Sequence, residues 1–211
     1  IGLAHQRLSI IDLSISANQP MHSHCNRYII VYNGEVYNFK ELSLMLGINL
    51  KTNSDTEIVL ESFIKWGENA VATFSGMFAF AIYDKKAHSL FLARDRSGIK
   101  PLYYFWDGKV FAFASEIKAL LQSQYIKANI TPDPTAINQY LHLGFIPQPK
   151  TIYNNIFKFP SGSLASVNRK GLFIKPYWEV AQKIEPEPIS SYDEARQKLH
   201  YELKQAIKSN M

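Results

Sequence analysis

VYNGEVYNFKEL, Val31–Leu42, is where this chain changes character. The residues leading into it, Arg27 to Val31, read as a buried strand. From Phe39 onward apolar residues recur at Leu42 and Leu46, the spacing of a helix. Between the two, the strand reads as stopping at Asn33-Gly34-Glu35. Asn-Gly is a strong hairpin dipeptide, yet a helix follows it rather than a second strand. An amide side chain, a backbone N–H with no Cβ over it and a carboxylate stand in a row at a strand's end. A corner alone does not require that chemistry.

On either side of this stretch strands and helices are interleaved. Gly2 to Ile11 reads as a strand, and Ser14 to His24 as a loop around Pro20. The run from Ser54 opens with a capping box, Ser54 and Glu57, and closes on Gly67, which predicts a helix. A short helix follows over Asn69 to Phe74. Strands are expected at Met77 to Tyr83, Ser89 to Ala93, Leu102 to Phe105 and Lys109 to Ala114, with Asp107-Gly108 as a hairpin turn. Ser115 caps a helix through Leu121, Thr135 to Leu143 forms another, and Ile156 to Val167 and Leu172 to Trp178 return to strand. Mainly antiparallel strands broken by helix pairs predict an α+β layered domain. Gln182 to Ser190 is a proline-spaced linker. Beyond it a second capping box, Ser191 and Glu194, opens a helix whose apolar stripe is Ala195, Leu199, Leu203 and Ile207.

Composition excludes several classes. Of 211 residues, 46% are apolar and 19% charged, a globular rather than disordered balance. The net charge of +5 is spread over scattered Lys and Arg, without the stripe or stacking platform of a nucleic-acid binder. No apolar run reaches the ~20 residues of a membrane helix. A single cysteine, Cys25, rules out an internal disulfide framework and suits a reducing cytoplasm. His22-Ser23-His24-Cys25 supplies at most three metal ligands in one short loop, so no metal is assigned there. His5 shares a strand face with Arg7 and is read as packing or hydrogen bonding rather than as catalytic.

Three polar positions fit together chemically. An amino acid bound as a zwitterion needs a cation for its α-carboxylate, best an Arg for its two-pronged geometry, and a carboxylate for its α-ammonium. Attack on its side-chain amide further needs two N–H donors where the oxyanion forms. Arg7, then Asp55 or Glu35, then the Asn33 amide and the Gly34 N–H meet those needs.

The segments GLAHQRLSIIDLS, QPM, VYNGEVYNFKEL, SDTE, GMFAFAIYD, LARDRSGIKPLYY and FASEIKALL resemble, in order and spacing, the glutaminase domain of class II glutamine amidotransferases, nearest to glutamine-hydrolysing asparagine synthetases. The resemblance runs from Gly2 to about Glu179 and implies the N-terminal-nucleophile hydrolase fold, two mainly antiparallel sheets between helices (α/β/β/α). It implies that Arg7 binds the α-carboxylate of L-glutamine, with Leu8, Ser9, Ile10 and Ile11 lining the pocket by backbone. Asn33 and Gly34 would form the oxyanion hole, and Glu35 and Asp55 would hold the α-ammonium. Arg94, Arg96 and Lys100, which resemble an anion-holding turn around Gly98, fall in a segment that the family uses structurally.

One departure matters. The family's nucleophile is a cysteine at the mature N-terminus, whereas this chain opens on Ile1, and Cys25 lies in a loop with its amine in a peptide bond. The expected organisation is therefore an amidotransferase domain over 1–181 truncated at its N-terminus, a linker over 182–190, and over 191–211 the first helix of an ATP-dependent synthetase domain. The fragment alone is expected to be inactive. The resemblance further implies a synthetase domain in cis that uses ATP and Mg, no cofactor in this portion, and it allows a homodimer. The parent enzyme would be cytoplasmic and pass ammonia to adenylated aspartate. Two alternatives stand beside it: a related amidotransferase with another acceptor, as in surface-polysaccharide synthesis, and a non-catalytic glutamine-binding domain.

Overall fold

The computed structural model describes residues 1–6, 12, 14–180, 189 and 191–209. A short 3₁₀ turn, Ile15–Ala17, precedes the strands β1 (Met21–His22) and β2 (Tyr28–Val36), which lead into the helices α1 (Phe39–Leu46), α2 (Asp55–Trp66) and α3 (Ala70–Thr73). Four strands follow, β3 (Gly76–Asp84), β4 (Ser89–Arg94), β5 (Tyr103–Trp106) and β6 (Phe111–Ala114). Next come α4 (Ile117–Leu120), α5 (Gln124–Ala128) and α6 (Pro134–Leu143), then β7 (Ile156–Lys158), β8 (Ser163–Asn168), β9 (Gly171–Pro176) and finally α7 (Tyr192–Ser209). One six-stranded sheet runs β1-β2-β3-β4-β8-β9 and a three-stranded sheet runs β6-β5-β7, every pairing antiparallel.

Strand alternation sorts the side chains into layers. Tyr32 and Val36 of β2 and Phe78 and Phe80 of β3 pack against Leu42 of α1 and Ile58 and Val59 of α2. The opposite face of the same strands carries Val31, Ala79 and Ala81, which meet Leu102, Tyr104 and Phe159 beneath the smaller sheet. Phe105 and Ile156 then bury the outer face of that sheet under Leu120 and Ile126. The order is helix, sheet, sheet, helix, as expected. Fully burying each large apolar side chain contributes roughly 1.5–3 kcal/mol. In β3 Phe78, Phe80 and Ile82 face the helices while Ala79 and Ala81 face the gap between sheets. Small side chains there leave room.

Two expectations need correction. The strand does not stop at Asn33: β2 runs nine residues to Val36, paired throughout with β3 from Tyr28 opposite Asp84 to Val36 opposite Gly76. Two glycines allow it, because a Cβ on Gly34 would lie 2.3 Å from the Met77 carbonyl oxygen and one on Gly76 2.1 Å from that of Glu35. The corner comes later, at Asn38, whose amide bridges the Thr73 carbonyl and the Ser75 N–H. Secondly, Gly2 to Gln6 has no regular secondary structure, while Arg7 to Ile11 and most of the expected linker lie outside the described residues.

The segment after β4 is a structural tie. The Arg94 guanidinium donates to the carbonyls of Lys100, Gly98 and Phe159 and is buried, so it ties backbone together rather than facing solvent. Asp95 accepts from the N–H groups of Phe78, Ser97, Ile99 and Lys100. Together they fasten β3 and β4 to the start of β5. No helix among the described residues is long and apolar enough to cross a membrane.

Candidate active site

The site grows from the open edge of β2. Strand β1 pairs only with Ile29 and Ile30, so beyond them β2 has β3 on one side and no strand among the described residues on the other. Opposite Gly34, Phe78 spends its backbone on Asp95: its N–H donates to Asp95 Oδ2 at 3.2 Å and its carbonyl accepts the Asp95 N–H at 2.8 Å. Gly34 and Phe78 are thus a non-hydrogen-bonded pair, and the Gly34 N–H and C=O point to the open edge. Its neighbours two residues away confirm the direction. The Tyr32 N–H donates to Gln19 Oε1 at 2.6 Å, and the Val36 N–H donates to Asp55 Oδ2 at 3.1 Å. The Gly34 N–H stands between them.

Asn33 and Glu35 project, by alternation, from the face toward the smaller sheet, where Ala79 and Ala81 leave space. A cavity of about 1220 Å³ opens there, lined among others by His5, Gln6, Asn33, Gly34, Glu35 and Asp55. Among the described residues nothing accepts a hydrogen bond from the Asn33 carboxamide. One residue apart, that amide and the Gly34 N–H offer two donors to one corner of the cavity. Such a pair can receive an oxyanion.

Asp55 is the first residue of α2, with Ser54 as its N-cap accepting the Thr56 N–H at 3.2 Å. It is 5% exposed, and burial raises its pKa, while the Tyr32 hydroxyl and backbone N–H groups pull it back toward ionisation. No Lys or Arg among the described residues pairs with it. A buried carboxylate on the rim of a cavity, with no cation beside it among the described residues, has a charge that a ligand ammonium can satisfy.

Glu57 departs from the capping-box expectation. Rather than reaching back to Ser54, its carboxylate accepts from the N–H groups of Lys51 and Thr52, the Thr52 hydroxyl and His24 Nε2. Burial alone would raise that carboxyl, but these donors bring it below its ordinary value. Glu57 thereby fixes the loop that presents Asp55, and His24 is committed to it. Gln19 and Tyr32, to which no role was assigned from sequence, join the site as supports. Tyr32 could have been found there: alternation sends it to the apolar face, where a hydroxyl needs a partner.

Of the residues expected in the site, Asn33, Gly34, Glu35 and Asp55 are brought together at this cavity. Arg7, Leu8, Ser9, Ile10 and Ile11 lie outside the described residues, although the chain leading to them, through Gln6, lines it. Cys25 is exposed in the turn before β2. Six residues of extended strand separate Tyr28 from Gly34, so the thiol lies ~20 Å from the donor pair.

A family model described as a glutamine amidotransferase domain matches residues 1–178. A putative glutamine-hydrolysing asparagine synthetase 2 of Methanocaldococcus jannaschii is 40% identical over 198 residues, covering 85% of this chain and 38% of the relative. Asparagine synthetase 3 of Bacillus subtilis is 39% identical over 182 residues, covering 83% of this chain and 29% of the relative. The chain therefore spans well under half the length of these relatives. Among solved structures, the glutamine phosphoribosylpyrophosphate amidotransferase of B. subtilis aligns with a TM-score of 0.58 at 20% identity, covering 82% of this chain and 34% of that one. At that identity the likeness concerns fold.

Proposed function

This chain belongs to the glutamine amidotransferase domain family, and on that footing we propose that it is the glutaminase portion of a glutamine-dependent asparagine synthetase. L-Glutamine lies in the inter-sheet cavity with its α-ammonium on Asp55 and Glu35 and its α-carboxylate on Arg7, while Leu8 to Ile11 line the pocket. Its side-chain carbonyl oxygen points at the Gly34 N–H and the Asn33 amide. When a thiolate adds to the amide carbon, the oxygen gains the negative charge and those two donors meet it. Collapse expels ammonia, and water then releases glutamate from the thioester. The attacking thiol is the terminal cysteine that the family supplies, since Cys25 sits at the wrong end of β2. The freed ammonia passes to adenylated aspartate in a synthetase portion, which carries the ATP and Mg chemistry.

The observation that carries this reading is the pair of donors at Asn33 and Gly34 facing the same cavity as the Asp55 carboxylate, which has no Lys or Arg partner among the described residues. The names of the curated relatives support the aspartate acceptor. The test is to assay the full-length protein for glutamate release and for asparagine formation from aspartate, ATP and glutamine. Both are expected. Glutamate release without asparagine would leave the glutaminase standing and overturn the acceptor.

A further inference from the structure

Tyr32 is 4% exposed, packed on the helix side of the large sheet, yet its hydroxyl reaches the site: it donates to Asp55 Oδ2 at 2.6 Å. We propose that Tyr32 is the positioning residue of the ammonium subsite, holding the Asp55 carboxylate aimed without cancelling its charge. The inference rests on the reading of Asp55 as the contact for the α-ammonium of glutamine.

Three features carry it. The contact is at the short end for O–H···O bonds, as expected of a hydroxyl donating to a carboxylate. It is shared with the Val36 N–H on the same oxygen, so Oδ2 is fixed from two directions. That fixes the plane in which the other oxygen is presented. Finally, the donor is neutral. An Arg or Lys in its place would stabilise the anion as well, but it would compete with the ammonium that the site is there to bind. The surrounding backbone is tied to the same end: Gln19 accepts the Tyr32 N–H through Oε1 and donates through Nε2 to Thr56 Oγ1 at 3.3 Å, linking β2 to the first turn of α2. The strand that carries the hydroxyl and the helix that carries the carboxylate are held in one register.

A tyrosine that only fills the core would affect all substrates alike. One that orients Asp55 affects those with an α-ammonium. The experiment therefore follows ammonia release by the full-length protein from L-glutamine and from 4-carbamoylbutanoate, which keeps the carboxylate and side-chain amide but lacks the α-ammonium. Wild type should prefer glutamine, and Asp55→Asn should lose the preference. Tyr32→Phe should raise KM for glutamine about tenfold, the scale of a hydrogen bond to a charged group, with kcat/KM for the analogue changed less than about twofold. Tyr32→p-aminophenylalanine, which restores an N–H donor, should recover the preference. If wild type fails to discriminate, or Asp55→Asn keeps the preference, the ammonium reading of Asp55 falls. If wild type discriminates and Asp55→Asn does not, then a Tyr32→Phe variant that keeps the full preference, or loses both substrates equally, overturns the positioning role. Failure of the p-aminophenylalanine variant to recover the preference, at an unchanged melting temperature, overturns it too.

Discussion

Asn33 and Gly34 are neighbours that ask for opposite experiments. The Asn33 carboxamide faces the cavity and holds nothing up among the described residues, so Asn33→Ala should leave melting nearly unchanged. In the full-length enzyme it should lower kcat for glutamine hydrolysis by about 10²–10³ with little effect on KM, because the donor meets charge that develops only in the transition state. A KM rise at constant kcat would remove Asn33 from the oxyanion role. Gly34 has no such tolerance. A Cβ there would sit 2.3 Å from the Met77 oxygen and 2.6 Å from Phe78 Cα, both backbone atoms that cannot step aside cheaply. Gly34→Ala should therefore lower the melting temperature by several degrees or abolish the fold, with activity lost as a consequence. A variant that melts normally would mean that the strands part more easily than their register implies.

The strands bring their own charge chemistry. Arg27, just before β2, clasps Asp84 at the end of β3 with two N–H donors, at 2.8 Å and 2.5 Å, and the N–H groups of Lys86 and Ala87 add to it. Arg27 foremost holds the Asp84 carboxyl down, from 3.8 to about 2. A carboxyl depressed in the folded state contributes stability above its unfolded pKa and loses it as pH falls through the folded one. The gap in unfolding free energy between wild type and Asp84→Asn should thus be constant near neutrality and close as pH falls from about 4 to about 2. A gap independent of pH would show that the clasp does not persist in solution. Elements of this kind were legible where periodicity was long: α1, β3 and β4 fall where the pattern puts them, and Ser54 caps α2 as expected. Local pattern misled where a contact far along the chain decides. The dipeptide Asn33-Gly34 reads as a turn because the close approach of the Met77 and Phe78 backbone, which makes Gly34 necessary, comes more than forty residues later. The two-residue β1 and the single turn of α5 are too short to leave a period. In the site, Asn33, Gly34, Glu35 and Asp55 could be named from chemistry and resemblance. For Tyr32 alternation signals only that a buried hydroxyl needs a partner, and Gln19 carries no signal at all, because the partners of both are fixed by packing.

The helix α7 stands apart from the layered body. Of its 18 residues, those described through Lys208 are all exposed except Ala195, which is intermediate. Leu199, Leu203 and Ile207, the stripe expected to face a partner, are 60%, 54% and 61% exposed. Its start is sound, since Ser191 Oγ accepts the Glu194 N–H at 3.2 Å. A cap is worth about 1 kcal/mol, whereas a solitary helix of this length is marginal in water and needs packing of its apolar face to persist. Little of that packing is supplied by the domain itself. In the 211-residue chain, amide exchange across Ala195 to Ile207 should therefore be fast, while β2 and β3 are protected to the limit of global unfolding. On the proposal that a synthetase portion accompanies this domain, the stripe has something to meet in the full-length protein, and the same amides should become protected there. Strong protection in the 211-residue chain at low concentration would show instead that α7 docks on its own domain. Protection that rises with concentration would make the partner a second copy.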